Sequence, residues 1–208
     1  MNFLIFDTET TGLFEYGTEL SPETAFLFPN VVQLAWSLRN EHGEVIASAC
    51  NIVRPEGFTI PDRVAAIHGI TTKRALAEGE PLADVLNDFA VALNFANALV
   101  CHNYDFDFPV VGAEFLRTLQ GNPLEKLAAF CTQKQATEWA KLPKDGSHRS
   151  KGYGAYKWPS LAELHRLCGF AEIANAHDAS GDVEATARCF FHLQTVAPDV
   201  FAQPYFQP

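Results

Sequence analysis

Two acidic residues at the end of the first apolar run are the earliest chemical signal in the sequence. Asn2-Phe3-Leu4-Ile5-Phe6 leads directly into Asp7-Thr8-Glu9, and side chains two apart on a strand leave the same face. Two like charges placed together at a buried strand end repel. The pair is tolerable if one acid is protonated, if an Arg or Lys answers it, or if a divalent cation binds. No basic residue lies near the pair in sequence, which favours the cation, and an all-oxygen donor set suits Mg²⁺ or Mn²⁺. The plainer reading is a strand-end Asp that starts a turn or caps a helix.

Two further segments carry acids of the same kind. Cys101-His102-Asn103-Tyr104-Asp105-Phe106-Asp107 follows a second apolar run, and the end of a buried strand is a common place for active-site groups in α/β sheets. Spacing alone leaves Asp105 and Asp107 as equal candidates, the other then being a helix N-terminal acid favoured by the macrodipole. His177-Asp178-Ala179-Ser180-Gly181-Asp182 opens the last helix. Positions five apart on an ideal helix diverge by about 140°, so His177 and Asp182 converge only if His177 sits on the loop or in the first turn. Asp178 needs no role beyond that of an N-terminal acid. An unperturbed histidine, with a pKa of about 6.5, suits proton transfer near neutral pH. Three acidic clusters on separate elements, with one histidine, form a stronger pattern than any one of them.

The elements that must position these groups read as follows. The opening apolar run is a strand ending at Thr10-Thr11-Gly12, and Leu13 to Asn30, with Gly17, Pro22 and Pro29, is a long excursion returning to the sheet. Val31 to Leu38 and Val45 to Val53 form a hairpin around Asn40-Glu41-His42-Gly43. Pro61 to Ile67 reads as a short helix, and Pro81 to Asn97 as a longer amphipathic one with Leu82, Val85, Leu86, Phe89 and Leu93 at helical spacing. Ala98 to Cys101 is a buried strand, followed by a helix near Phe108 to Gln120, a strand near Leu127 to Phe130 and a helix after Thr132. Ser160 caps a helix that Gly169 stops, and the last helix runs from about Asp178 to Thr195. The alternation predicts an α/β architecture.

The totals bound the function. A chain of 208 residues with 48% hydrophobic residues fills one core, and its length requires no second domain. There is no basic leader and no apolar run near the roughly 20 residues of a membrane span, so the expected setting is cytoplasmic with no membrane partner. Cys50, Cys101, Cys131, Cys168 and Cys189 contain no CxxC pair and read as buried free thiols. A net charge of −10 argues against a broad basic surface that coats nucleic acid. Between Lys141 and Trp158, however, Lys141, Lys144, Arg149, Lys151 and Lys157 face only Asp145, with His148, Tyr153, Tyr156 and Trp158 interleaved. Such a segment is either a single-strand contact or a solvated Gly-rich loop.

Taken in order, Phe6-Asp7-Thr8-Glu9-Thr10-Thr11-Gly12, His102-Asn103-x-x-Phe106-Asp107 and His177-x-x-x-x-Asp182 resemble the three motifs of the DnaQ-like 3′–5′ exonucleases, the histidine branch of the DEDD superfamily. The resemblance spans about residues 2 to 196. It implies an RNase H-like mixed sheet with an antiparallel hairpin, flanked by helices, forming a single exonuclease domain over residues 1–208. It also implies two divalent metal ions, Mg²⁺ or Mn²⁺, held by Asp7, Glu9, Asp107 and Asp182, with His177 as general base. Asp105 and Asp178 then become bystanders. His68-Gly69-Ile70-Thr71 resembles a family segment beside the terminal nucleotide, and Thr10, Leu13, His102, Asn103 and Phe106 match positions that line its pocket. The implied partners are single-stranded DNA or RNA 3′ ends and a DNA polymerase subunit. The long Leu13 to Asn30 insertion and the long basic segment depart from minimal members of the family.

Two rivals remain at this point. Asp7 at the end of a first strand also suits the haloacid dehalogenase phosphatases, but those place a second Asp two residues on, where this chain has Glu9. A non-catalytic nucleic-acid-binding or polymerase-associated subunit would keep the fold without the chemistry, yet all five expected catalytic positions carry the right residue types.

Overall fold

The computed structural model describes residues 1–15, 17–119, 121–144, 146, 154–173 and 178–208. Its centre is β1 (Phe3–Thr10), which pairs antiparallel with β2 (Val31–Arg39) and parallel with β4 (Ala98–Cys101). β3 (Val45–Ile52) lies antiparallel outside β2, and β5 (Ala128–Cys131) parallel outside β4, giving the order β3-β2-β1-β4-β5. The β2–β3 reversal uses the expected hairpin, where the Gly43 amide donates to the Asn40 carbonyl at 3.0 Å and Gly43 adopts φ +82°, a conformation that favours glycine.

Alternation along β1 divides the core in two. Leu4 and Phe6 pack with Leu34, Trp36 and Leu38 of β2 under α3 (Leu82–Leu93) and α4 (Tyr104–Leu119). Phe3 and Ile5 face the other side, under α7 (Leu161–Leu167) and α8 (Ala179–Val196), with Leu164, Val183 and Phe190. Phe6, Phe89, Phe115 and Phe190 are fully buried, each contributing about 1.5–3 kcal/mol of apolar transfer. The same alternation, continued past Phe6, sends Asp7 and Glu9 toward α8 and Thr8 toward α4.

The remaining α-helices among the described residues are α1 (Asp62–His68), α2 (Thr72–Glu78), α5 (Thr132–Gln135) and α6 (Thr137–Ala140). Several elements differ from expectation, and α3 ends at Leu93 instead of Asn97. α4 begins at Tyr104 rather than near Phe108, so Asp105 and Asp107 both lie in its first turn and Pro109 lies inside it. α2 lies between the two helices expected in this stretch, and the Thr71 hydroxyl caps it by accepting the Arg74 amide at 3.1 Å.

The Leu13 to Asn30 excursion folds back onto α4. Ala25 and Phe28 pack on Ala113, Arg117 donates to the Phe28 and Pro29 carbonyls, and buried Glu114 accepts the Val31 amide at 2.8 Å. Gly112 permits the approach, because a Cβ there would lie 2.6 Å from Leu20 Cδ2 and 2.7 Å from Asn122 Nδ2. Cys101, Cys131, Cys168 and Cys189 are buried free thiols, whereas Cys50 is exposed on β3 because that strand is at the sheet edge. Among the described residues, no helix is long and apolar enough to cross a membrane.

Candidate active site

The acids predicted from sequence meet at one end of the sheet. Asp7 and Glu9 leave β1 on the α8 side, and Asp182 reaches them from the first turn of α8. Each of the three offers a carboxylate oxygen within 4.8 Å of the others. α8 is held there at its N-terminus. The Asp178 carboxylate accepts the Ser180 amide at 2.9 Å as N-cap, and the Ala179 amide donates to buried Gln33 Oε1 at 3.1 Å. Asp178, expected only as an N-terminal acid, is the N-cap of α8.

Asp107 enters from the opposite face of the sheet. It is 4% exposed, and its Oδ1 accepts the Thr8 hydroxyl at 2.8 Å. Asp105, two residues earlier, turns away. Its Oδ2 lies 3.2 Å from Lys134 Nζ, and its Oδ1 accepts the Tyr205 hydroxyl at 2.9 Å.

The electrostatics are those of a donor set short of positive charge. Burial, then the charges of Asp107, Asp182 and Glu9, raises the Asp7 pKa well above the usual carboxylate range. Burial, then Asp182, Asp107 and Asp178, pushes Glu9 up to about 8. Burial also pushes Asp107 up to about 7, although hydrogen bonds from the Thr8 hydroxyl, the Thr8 amide and its own amide lower it. Acids that retain protons near neutrality because they are buried and repel one another release them when a divalent cation binds. The all-oxygen set of Asp7, Glu9 and Asp182, with Asp107 beside it, fits a hard cation such as Mg²⁺ or Mn²⁺.

One cavity adjoins this cluster through Glu9, and a second lies beside the first. The first, of about 580 Å³, is lined by Glu9, Thr10, Leu13, His68 and Phe106, with Arg63, Val64 and Ile67 of α1 among the remaining residues. The second, of about 420 Å³, is lined by Asn103 and Trp158 among others and shares Leu13 and Phe106 with the first. These two side chains form the partition between the cavities, and Leu13 is 84% exposed. The Thr10 hydroxyl shapes the turn before Leu13 by donating to the Gly12 carbonyl at 2.7 Å. His68 Nδ1 accepts the Ile70 amide at 3.1 Å, which leaves the ring proton on Nε2, and burial lowers the pKa of the ring.

Five of the six predicted pocket residues thus line one cavity or the other. His102 lines neither. Its Nδ1 pairs with the Thr132 hydroxyl at 2.9 Å and its Nε2 with the Pro159 carbonyl at 3.1 Å. A carbonyl only accepts, so Nε2 carries the proton, and burial holds the ring neutral with a pKa lowered to about 4. Placed this way, His102 joins β4 to the segment preceding α7. His177 lies outside the described residues, as do Asp145, His148, Arg149, Lys151 and Tyr153 of the basic segment. Within the described part, Lys157 pairs with Glu163, and Trp158 lies under Lys134 Nζ, 2.9 Å from its ring centroid. The sequence reading missed Arg63, Val64, Ile67, Phe14 and Lys134 as lining residues. The exposed apolar Ile67 immediately before His68 was the available signal.

A family model described as an exonuclease, RNase_T, matches residues 4–190. The chain belongs to this family of DnaQ-like exonucleases. A relative described as a DNA polymerase III subunit epsilon-like protein, from Rhodobacter capsulatus, is 32% identical over 196 residues, covering 93% of this chain and 24% of the relative. The chain therefore spans about a quarter of that protein's length. Among solved structures, E. coli exonuclease I in complex with a dT13 oligonucleotide superposes with a TM-score of 0.73 at 22% identity, over 96% of this chain and 42% of that one. The zinc-bound form of an E. coli exonuclease I–single-stranded DNA complex gives 0.71 at 23% identity, with the same coverage. The likeness shows the fold, the RNase H-like mixed sheet flanked by helices that the motifs implied.

Proposed function

We propose that residues 1–208 form a single exonuclease domain that releases 5′-mononucleotides from the 3′ end of single-stranded or frayed DNA. The observation that carries this reading is the convergence of Asp7, Glu9 and Asp182, with Asp107 beside them, at the rim of a cavity walled by Thr10, Leu13, His68 and Phe106. In the family to which the chain belongs, Asp7, Glu9, Asp107 and Asp182 would hold two divalent ions. When bound, such ions supply an activated water and neutralise charge on the departing 3′ oxygen.

The chain's own residues account for binding and orientation. The terminal base enters the larger cavity between Leu13 and Phe106 on one side and Val64 and Ile67 on the other. The preceding nucleotide lies in the cavity across the Leu13–Phe106 partition, so the two bases are held apart and the scissile phosphate falls at the carboxylates. The neutral imidazole of His177 is assigned to accept the proton of the attacking water, and this assignment rests on its place five residues before Asp182.

DNA is favoured over RNA because the similar solved structures hold oligodeoxynucleotides or single-stranded DNA, and a polymerase partner is proposed from the name of the Rhodobacter relative. The test is a gel ladder. The protein is incubated with Mg²⁺ or Mn²⁺ and 5′-labelled single-stranded DNA, single-stranded RNA or a mismatched duplex. Stepwise shortening from the 3′ end with release of 5′-mononucleotides supports the reading. Internal cuts, shortening from the 5′ end or no cleavage of any substrate would overturn it, and faster cleavage of RNA would transfer the function to RNA 3′ ends.

A further inference from the structure

Asp107 is the member of the acidic cluster that is neither on β1 nor on α8. Asp7 and Glu9 are aimed by strand alternation, and Asp182 by a capped helix whose first amide is tied to Gln33. Asp107 comes from α4, on the other face of the sheet. What reaches it there is Thr8, the residue between Asp7 and Glu9, whose side chain points to the α4 side while its neighbours point to α8.

Thr8 continues the column begun by Leu4 and Phe6, both in the core under α3 and α4. It is itself buried. It also lines the larger cavity, and a buried hydroxyl costs free energy unless it is hydrogen-bonded. Its bond is to Asp107 Oδ1 at 2.8 Å. The contact engages Oδ1 of Asp107 with the protein, while the charge of Asp182 acts on the same carboxyl from the cluster side.

We propose that Thr8 is a positioning residue that presents Asp107 to the cation site by holding its Oδ1. This inference rests on the proposed function for the identity of the site. It adds that the residue between the two strand acids aims the third acid across the sheet. Partners of this kind, which touch a ligand side chain but not the metal, typically change metal affinity by about 10–100-fold when removed.

The experiment compares wild type, Thr8→Val and Thr8→Ser. Mn²⁺ binding is measured by calorimetry without nucleic acid, and KM and kcat are measured on a 5′-labelled oligodeoxynucleotide. Thermal melts in EDTA establish that each variant is folded. Thr8→Val, which keeps the shape and loses the hydroxyl, is expected to bind Mn²⁺ about tenfold or more weakly, with lower kcat and unchanged KM. Thr8→Ser restores the hydroxyl and is expected to bind Mn²⁺ as wild type does. Wild-type Mn²⁺ affinity in Thr8→Val overturns the proposal. So does a Thr8→Ser variant as impaired as Thr8→Val, since that marks a packing role. If wild type itself binds no Mn²⁺ and cuts no nucleic acid, the exonuclease reading fails, and this inference fails with it.

Discussion

Phe14 stacks on Phe106 with ring centroids 5.6 Å apart and ring planes inclined by only 14°. The contact ties the turn that exposes Leu13 to the first turn of α4, which also carries Asp107. The partition between the two cavities and one of the proposed metal ligands are therefore parts of the same local structure.

Leu13→Ala separates the partition from the fold. Leu13 is 84% exposed, so its truncation should leave the melting temperature nearly unchanged. Against substrate it loses about 1–2 kcal/mol of apolar burial, a roughly tenfold rise in KM. Steady-state kinetics beside a thermal melt check this, and an unchanged KM removes Leu13 from the binding face.

Asp7→Asn should lower cleavage by several orders of magnitude and raise the melting temperature in EDTA, because an acid whose ionised form is disfavoured by burial and by the neighbouring carboxylates is replaced by a neutral amide. The two effects have opposite signs, which separates a functional acid from a structural one. Normal turnover by the folded variant would remove Asp7 from the mechanism.

The metal-free protein should lose stability as pH rises. Glu9 and Asp107 ordinarily titrate at 4.5 and 3.8, and in the fold they are pushed up to about 8 and about 7. The folded state therefore binds more protons than the unfolded one between these values. The contribution is fully present below the unfolded values and is lost as pH rises through the folded ones. Melts in EDTA from pH 5 to 8 should fall more steeply for wild type than for Glu9→Gln/Asp107→Asn, and Mn²⁺ at pH 8 should recover the difference. Parallel slopes for the two proteins contradict the assignment.

If His177 accepts the proton, kcat should rise with pH through roughly 6–8, and His177→Ala should abolish that rise while lowering the rate. A wild-type profile flat over this range, with turnover unchanged in the variant, assigns the base elsewhere.

Lys134→Met tests the wall of the second cavity. The Lys134 side chain is 3% exposed, between Asp105 and the Trp158 ring. Removing its charge leaves Asp105 with the Tyr205 hydroxyl. A loss of about 1–3 kcal/mol in urea melts is expected, below the full range for breaking a buried pair because Asp105 is one-third exposed. KM should rise as Trp158 loses its support. A variant with wild-type stability and KM shows that the pair does neither job.

Much of this site was legible because β1 alternates regularly. A period of two along Phe3–Thr10 fixes both the core faces and the shared direction of Asp7 and Glu9. Asp105 and Asp107 could not be separated on local grounds, since both fall in the first turn of α4. What distinguishes them is tertiary: Lys134 and Tyr205 take one and Thr8 takes the other. The early start of α4 was not anticipated: the helix was expected from near Phe108, and it begins at Tyr104 with Pro109 inside it. α2 was hidden by its length of seven residues, too short for a clear apolar period. The pocket wall on α1 was missed because Arg63 and Ile67 read as ordinary surface positions until the fold brings them opposite Gly12 and Leu13.

Gly112 gives the Leu13 to Asn30 excursion a consequence for engineering. Since a Cβ at that position would displace the ends of the Leu20 and Asn122 side chains, the loop packs most closely over a glycine in the helix beneath it. Grafting the loop onto a related scaffold calls for glycine at the corresponding helix position. A library that varies the substrate entrance should hold residue 112 constant, so that repacking of Leu20 is not read as a change in substrate preference.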